Sequence, residues 1–336
     1  MLETATVDDF RLPDRNRFRI DFRSVRLGFG GHLGVSMTDD SGEIVKWLGI
    51  RLRVPKGWEI VRHSVNHEKG SLVFVDRRRE TLRLFWRDCE RALDLNRMLD
   101  DQRSKMALEV PGGKLTELHG VGGWQGFVRE QGEGERVVHA AHFDSSSLRL
   151  IEVIVTETGD AASGKSLRAQ LLGNLAVTSK AELAREFRAF GLDVAVPAGF
   201  RLVKTDVKPA DVTFEFDEAL EDGTRASGAS TTLRRLGMAA SWAPAEKSQL
   251  LASQAPTLTF KEAQTRRKFG HCALSAEGKE VHPRLLNWLG LGRQGQALLW
   301  HCEATNAIYS ITTVYPKRKP VAVDAFSMTC CGGSDA

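Results

Sequence analysis

The chain has 336 residues, 42% hydrophobic and 27% charged. That balance suits a globular chain of about two domains and excludes collagen-like, coiled-coil and wholly disordered classes. A formal charge of +4 over this length is too small for the concentrated basic footprint of a nucleic-acid binder, so nucleic acid is disfavoured as a partner. Five scattered cysteines are too few for a disulfide framework, and reduced thiols are expected.

Residues 1–43 read as an N-terminal strand-like extension. Its first ten residues lack a basic segment followed by an apolar run, and no stretch of the chain approaches the ~20 apolar residues of a membrane span. The expected location is therefore cytoplasmic. Phe18, Ile20 and Phe22 alternate with Arg17, Arg19, Asp21 and Arg23, which predicts a strand with one charged face. The glycine-rich GFGGHLG at 28–34 leads into a turn-like segment, without the helix N-terminus that a dinucleotide phosphate needs.

Residues 44–180 read as a first α+β unit. In KWLGIRLRVPKGWEI (46–60), Ile50, Leu52 and Val54 alternate with polar residues, as in a half-buried strand. Pro55 and Gly57 then turn the chain, and Trp58 restarts it on the core side. Strands are predicted at 71–75 and 81–86, and a helix through Leu95, Met98, Leu99 and Met106. A long hairpin in 140–155 and a helix over 167–177 complete the unit. Between these two, Gly159, Gly164, Lys165 and Ser166 satisfy the P-loop pattern, with an apolar strand before and a helix after. In that reading backbone amides cradle phosphates, Lys165 neutralises them, and Ser166 holds the magnesium of Mg-ATP, with Asp217 as an acidic strand end. Against it stand the antiparallel strand pattern and the matching junction YPKRKP (315–320), which has no glycine cradle.

Residues 184–336 repeat the order. RAFGLDVAVPAGFRL (188–202) matches 46–60 at Gly191, Pro197, Gly199 and Phe200. Strands are predicted at 212–216 and 238–242, a short helix over 246–253, a hairpin in 299–314 and a terminal helix over 321–328. An insertion at 280–296 has no counterpart in the first unit. It carries Leu285, Leu286, Trp288 and Leu289, a dense apolar run after a proline, which covers an interface between the units or docks a partner. Its pattern GLGRQG (290–295) reads as loop glycine because a strand follows it.

The element order and the Pro-x-Gly-Trp/Phe turn resemble the PsbP-like superfamily, over about 44–180 and 184–331. That superfamily contains photosystem II extrinsic subunits, a Ran-binding import factor and adaptor chaperones of type VI secretion effectors. The resemblance implies an α/β sandwich and a binding role, and it carries over no site residue.

Four cysteines fall in the second unit. If the 299–314 hairpin packs on the terminal segment, Cys302 approaches Cys330 or Cys331, and His271, Cys272 or His301 completes four N/S ligands for zinc. The set taken is Cys272, His301, Cys302 and Cys330; the bland alternative is small buried thiols. The basic clusters at 77–79, 266–268 and 317–319 read as solvated turn or edge residues, or as a surface for an acidic partner.

The expected architecture is thus two tandem antiparallel-sheet α+β sandwiches flanked by helices, arisen by duplication. The expected function is a non-catalytic protein-binding module without a cofactor: an adaptor, chaperone or assembly subunit. A P-loop nucleotide-binding protein and a zinc-stabilised structural protein are the alternatives.

Overall fold

The computed structural model describes residues 42–331 except 110–113, 120, 131, 133, 160, 179–184, 220–224, 243–246, 255, 257 and 281–291. The strand expected at 18–22 and the candidates Leu285, Leu286, Trp288 and Leu289 lie outside the described residues.

The described chain opens with a tight hairpin of β1 (Glu43–Trp47) and β2 (Ile50–Val54). Leu48 and Gly49 between them both take positive φ, 48° and 80°, the type I′ pattern whose twist suits a two-residue hairpin. There follow β3 (Glu59–His63), β4 (Lys69–Val75), β5 (Glu80–Asp88), α1 (Leu95–Glu109), β6 (Leu115–Glu117), β7 (Gln125–Glu130), β8 (Arg136–Asp144), β9 (Arg149–Glu157), α2 (Ala161–Gly173) and β10 (Ala176–Val177). The second half opens the same way. β11 (Glu186–Ala189) and β12 (Leu192–Ala195) are joined through Phe190 and Gly191, at φ 55° and 75°. Then come β13 (Phe200–Lys208), β14 (Asp211–Ala219), β15 (Arg225–Gly237), α3 (Ala239–Trp242), α4 (Lys247–Gln254), β16 (Leu258–Phe260), β17 (Gln264–Lys268), β18 (His271–Glu280), β19 (Arg293–Cys302), β20 (Ala307–Pro316), a 3-10 turn (Val323–Ala325) and β21 (Ser327–Thr329).

Three antiparallel sheets result. A seven-stranded sheet runs β3-β4-β5-β9-β8-β7-β6, and an eight-stranded sheet runs β13-β14-β15-β20-β19-β18-β16, with β17 also on β18. The two halves therefore order their corresponding strands alike. The third sheet draws on both: β10-β2-β1-β11-β12-β21, joined at its middle where Lys46 faces Arg188.

Strand alternation explains how the three share a core. On the six-stranded sheet Val45, Trp47, Leu52, Phe187 and Val194 are buried, while Lys46, Arg51 and Arg188 point the other way. The apolar face packs with Leu72, Phe74 and Leu84 of the seven-stranded sheet and with Phe214, Phe216 and Leu233 of the eight-stranded one, in a single cluster. Trp47 sits at the meeting point. Its ring lies edge-on to Phe187, Phe190, Phe214 and His63 at centroid distances of 5.9, 5.9, 5.6 and 5.4 Å. Its indole N–H donates to the Ser64 carbonyl at 2.8 Å, so the buried polar atom is satisfied.

The expected pair of helix-flanked α+β sandwiches is overturned: the fold is mostly β, in three antiparallel sheets with few helices. Two misread segments account for much of the difference. Residues 321–328 form a 3-10 turn and the start of a sheet-edge strand in place of a helix. The strand expected at 238–242 is the short helix α3, and the true strand is β15, which buries Thr231 and Leu233 on one face. Helices α1 and α4 do cover outer sheet faces. Leu99 packs with Phe127, Ala141 and Leu150, and Leu251 with Leu236, Ala297 and Leu299. No helix among the described residues is long and apolar enough to cross a membrane.

Candidate functional site

The P-loop pattern lands on a structure unlike a phosphate cradle. β9 is antiparallel to both of its neighbours, β5 and β8. Gly159 turns the chain at φ 89°, and α2 has already begun at Ala161. Gly164, Lys165 and Ser166 thus lie inside the helix, with Lys165 and Ser166 exposed. The glycine has a different reason to be there. A Cβ at Gly164 would sit 2.6 Å from Arg136 Nη2 and 2.7 Å from Glu157 Oε2. Glu157 is 1% exposed and accepts from Arg168 Nε and Nη2 at 2.8 and 2.9 Å and from Arg136 Nε at 3.3 Å. Gly164 lets α2 close over this buried ion cluster, whose geometry is bidentate. Asp217 lies on β14, in the sheet of the other half.

A basic cleft of about 610 Å³ opens beside this junction. Two turns build it. In the first, Gly57 takes φ 84° and the Trp58 amide bonds the Pro55 carbonyl at 3.3 Å. In the second, Asp76 Oδ1 accepts from the amides of Arg78 and Arg79 at 2.7 and 2.9 Å, and the Asp76 amide bonds the Arg79 carbonyl at 3.0 Å. The Asp76 carboxylate thus serves the turn backbone. Arg79 reaches Glu135 at 3.4 Å, while Lys56, Arg77 and Arg78 have no ion-pair partner among the described residues. Trp58, half-buried, supplies an aromatic wall. The other two basic clusters are also paired in part, with Arg267, Lys317 and Arg318 lacking an ion-pair partner among the described residues. Arg266 grips Asp324 through two nitrogens at 3.0 and 3.1 Å, Lys268 approaches the same carboxylate at 3.6 Å, and Lys319 bonds Glu218. Cations gathered in a concave wall focus a positive potential and favour carboxylate or phosphate groups.

The third group is a thiol and imidazole cluster. His271, Cys302, Cys330 and Cys331 bring their ligand atoms within 4.8 Å of one another. His271 Nε2 lies 3.0 Å from Cys330 Sγ and 3.3 Å from Cys331 Sγ, and the two sulfurs are 3.9 Å apart. The sheet explains the membership. β18 and β19 pair Ala273 with Trp300, so two places further along His271 stands opposite Cys302 on the same face. Cys272 and His301 project from the opposite face and stand outside the four, so Cys302 and Cys330 of the set read from the sequence fall in the cluster, while His271 and Cys331 stand where Cys272 and His301 were expected. Burial raises the Cys302 thiol, but hydrogen bonds involving Thr305, Cys330 and Cys331 outweigh it and hold the thiol below its ordinary value. Burial and the neighbouring Cys302 and Cys331 push Cys330 up to about 12, against the Trp300 indole, which favours its charged form. One sulfur of the pair thus carries charge more readily than the other. The Trp300 Nε1 is buried and makes no hydrogen bond of ordinary geometry.

No family model and no curated protein matches the chain. Among solved structures, it is similar to the apo form of the T6SS immunity protein TplEi from Pseudomonas aeruginosa at 9% identity, over 86% of this chain and 92% of that one, with a TM-score of 0.34. The same protein complexed with "L" peptide matches at 10% identity, over 84% and 90%, with a TM-score of 0.34. A chain of the Tle4-Tli4 complex matches at 8% identity, over 83% and 87%, with a TM-score of 0.36. These scores are too low to assign a partner or an activity. The resemblance to the PsbP-like superfamily is repeated by none of these structures.

Proposed function

We propose that the protein is a non-catalytic binding module whose basic cleft receives an acidic stretch of a protein partner. The observation that carries this is a set of cations, Lys56, Arg77 and Arg78, without an ion-pair partner among the described residues and held beside Trp58 on two hydrogen-bonded turns. Turn backbones fixed in advance lower the ordering cost of binding, and an aromatic wall beside guanidinium groups is the usual make-up of an interface hot spot. Holding a partner without changing it is what an adaptor, chaperone or assembly subunit does. The apolar residues Leu285, Leu286, Trp288 and Leu289 belong to the same proposal as a second contact for that partner. We place it in the cytoplasm, where its five scattered cysteines stay thiols.

The test is recovery of the partner from native cells with wild type and with a Lys56→Glu/Arg78→Glu variant. Both side chains are exposed, so the variant keeps its unfolding midpoint. Binding of the stoichiometric partner weakens roughly 10- to 100-fold, about 1.4–2.8 kcal/mol, and wild-type binding falls with added salt. Partner recovery equal to wild type would sink the cleft as the binding site.

A further inference from the structure

We infer that His271, Cys302, Cys330 and Cys331 form a closed tetrahedral site for one zinc ion, which ties the C-terminal segment to the eight-stranded sheet. This goes beyond partner binding and rests on a different part of the molecule. Zinc–sulfur and zinc–nitrogen bonds of about 2.3 and 2.0 Å put the edges of a Cys₃His tetrahedron at about 3.5–3.8 Å. The separations of 3.0, 3.3 and 3.9 Å, all six within 4.8 Å, bracket that range. Four atoms already gathered at this spacing need only sub-ångström adjustment to enclose an ion. Three sulfurs and one imidazole are borderline-soft donors, which select zinc over magnesium or calcium; an iron–sulfur cluster asks for four cysteines. With all four positions filled by protein, no site remains for a reacting water, so the role is structural.

The location gives the ion something to hold. Cys302 is fully buried at the end of β19, His271 starts β18, and Cys330 and Cys331 directly follow β21. β21 is an edge strand of three residues, paired to β12 through Asp193, Val194 and Ala195 only. So short an edge ladder opens easily unless it is tied down. A zinc ion links it to a strand pair of the neighbouring sheet. The Trp300 indole, buried beside Cys330 without an ordinary acceptor, is placed to donate to a metal-bound thiolate, the supporting contact such ligands receive. On binding, each of the three thiols gives up its proton to solvent and the imidazole binds through its neutral nitrogen.

The experiment uses the full chain without an affinity tag, purified under reducing conditions, with metal content measured by mass spectrometry. One zinc per chain is expected in wild type and in Cys272→Ser, whose thiol lies on the other face. Less than a tenth of that is expected in Cys331→Ser/His271→Ala. Because Cys331 is exposed, Cys331→Ser alone keeps the fold and shows weakened zinc retention against a chelator. Cobalt in place of zinc is expected to give the intense visible bands of a tetrahedral thiolate complex. The proposal is overturned by metal-free wild type that takes up no cobalt, by unchanged metal in the double variant, or by a disulfide among Cys302, Cys330 and Cys331 in the reduced preparation.

Discussion

Burial pushes the imidazoles of His67 and His139 down to about 4, helped by Arg201 and Arg149 at the first and by Arg129 and Arg83 at the second. His139 stacks on Phe127 at 5.0 Å, and its Nε2, like that of His67, is buried without a hydrogen bond. Both rings are neutral in the fold at mildly acidic pH, while in the unfolded chain they take up protons below about 6.5. The unfolded state then binds more protons, so stability is full above about 6.5 and is lost as pH falls toward 4. The drop from 6.5 to about 4 is worth about 3 kcal/mol at each histidine. Urea unfolding should show this loss between pH 6.5 and 4.5, above the range where carboxylates such as Asp144 begin to protonate. A His67→Gln/His139→Gln variant should have a much flatter profile; a profile as steep as wild type would assign the acid sensitivity elsewhere. Arg149 shows the opposite arrangement, a buried charge kept because each of its three nitrogens donates a hydrogen bond. It donates to Asp88 at 2.7 Å and to the carbonyls of Leu48 and His67 at 2.9 and 2.8 Å. It ties the first hairpin turn to β5 and to the loop before β4.

At the scale of elements, close approach and edge protection set the details. Gly126 on β7 leaves room for β8 alone: a Cβ there would lie 1.9 Å from the His139 carbonyl oxygen and 2.9 Å from Ala140 Cα. Gly126→Ala should push the strands apart and cost about 3 kcal/mol, read as a lower urea midpoint. Gly173→Ala, at the end of α2 with nothing within 4 Å, is the contrasting control and should be neutral or slightly stabilising. Equal midpoints for the two variants would refute the close-packing argument. The outer strands β3 and β13 each carry a register shift, at Ile60/Arg62 and at Leu202/Lys204. The residues left over, Val61 and Val203, are 57% and 40% exposed. Bulges followed by Arg62 and Lys204 twist and charge these edges, which discourages pairing with a second chain.

At the scale of the whole molecule, the six-stranded sheet makes the two halves interdependent. Its middle joins β1 to β11, reinforced by an ion pair between Lys46 and Glu186, and Trp47 packs on β14 of the other half. Neither half can close its core alone, because each large sheet leans on a sheet to which both contribute. Heating should therefore give one transition, coincident by far-ultraviolet circular dichroism and by tryptophan fluorescence. Trp47→Ala should lower the stability of the whole by about 3–5 kcal/mol and leave the transition single. Two resolved transitions would show that the halves unfold separately.

Local signals were legible wherever neighbours in sequence are also neighbours in space. The strands before Pro55 and Pro197, the turns at Gly57 and Gly199, the long hairpins that turn after Asp144 and Cys302, and helices α1 and α4 follow from short-range period, turn residues and propensity, whereas the hairpins through Leu48–Gly49 and Phe190–Gly191 were not anticipated. The candidate zinc cluster was half legible. Cys302 and Cys330 could be singled out by their positions, but one residue of register decides whether His271 or Cys272 faces inward, and His301 fell on the wrong face. The significance of the arginine turn was hidden for the same reason. Three similar basic clusters each meet a distant carboxylate, Glu135, Asp324 or Glu218, and only the folded chain sets the 77–79 cluster beside Trp58 in a concave wall. By itself the sequence determined local pieces such as the strands before Pro55 and Pro197 and the turns at Gly57 and Gly199, because alternation and turn chemistry are local properties, but it misassigned 238–242 and 321–328. Only the tertiary structure decided that the halves share a third sheet, which faces meet and which charges pair, because those depend on pairings between residues far apart in the chain.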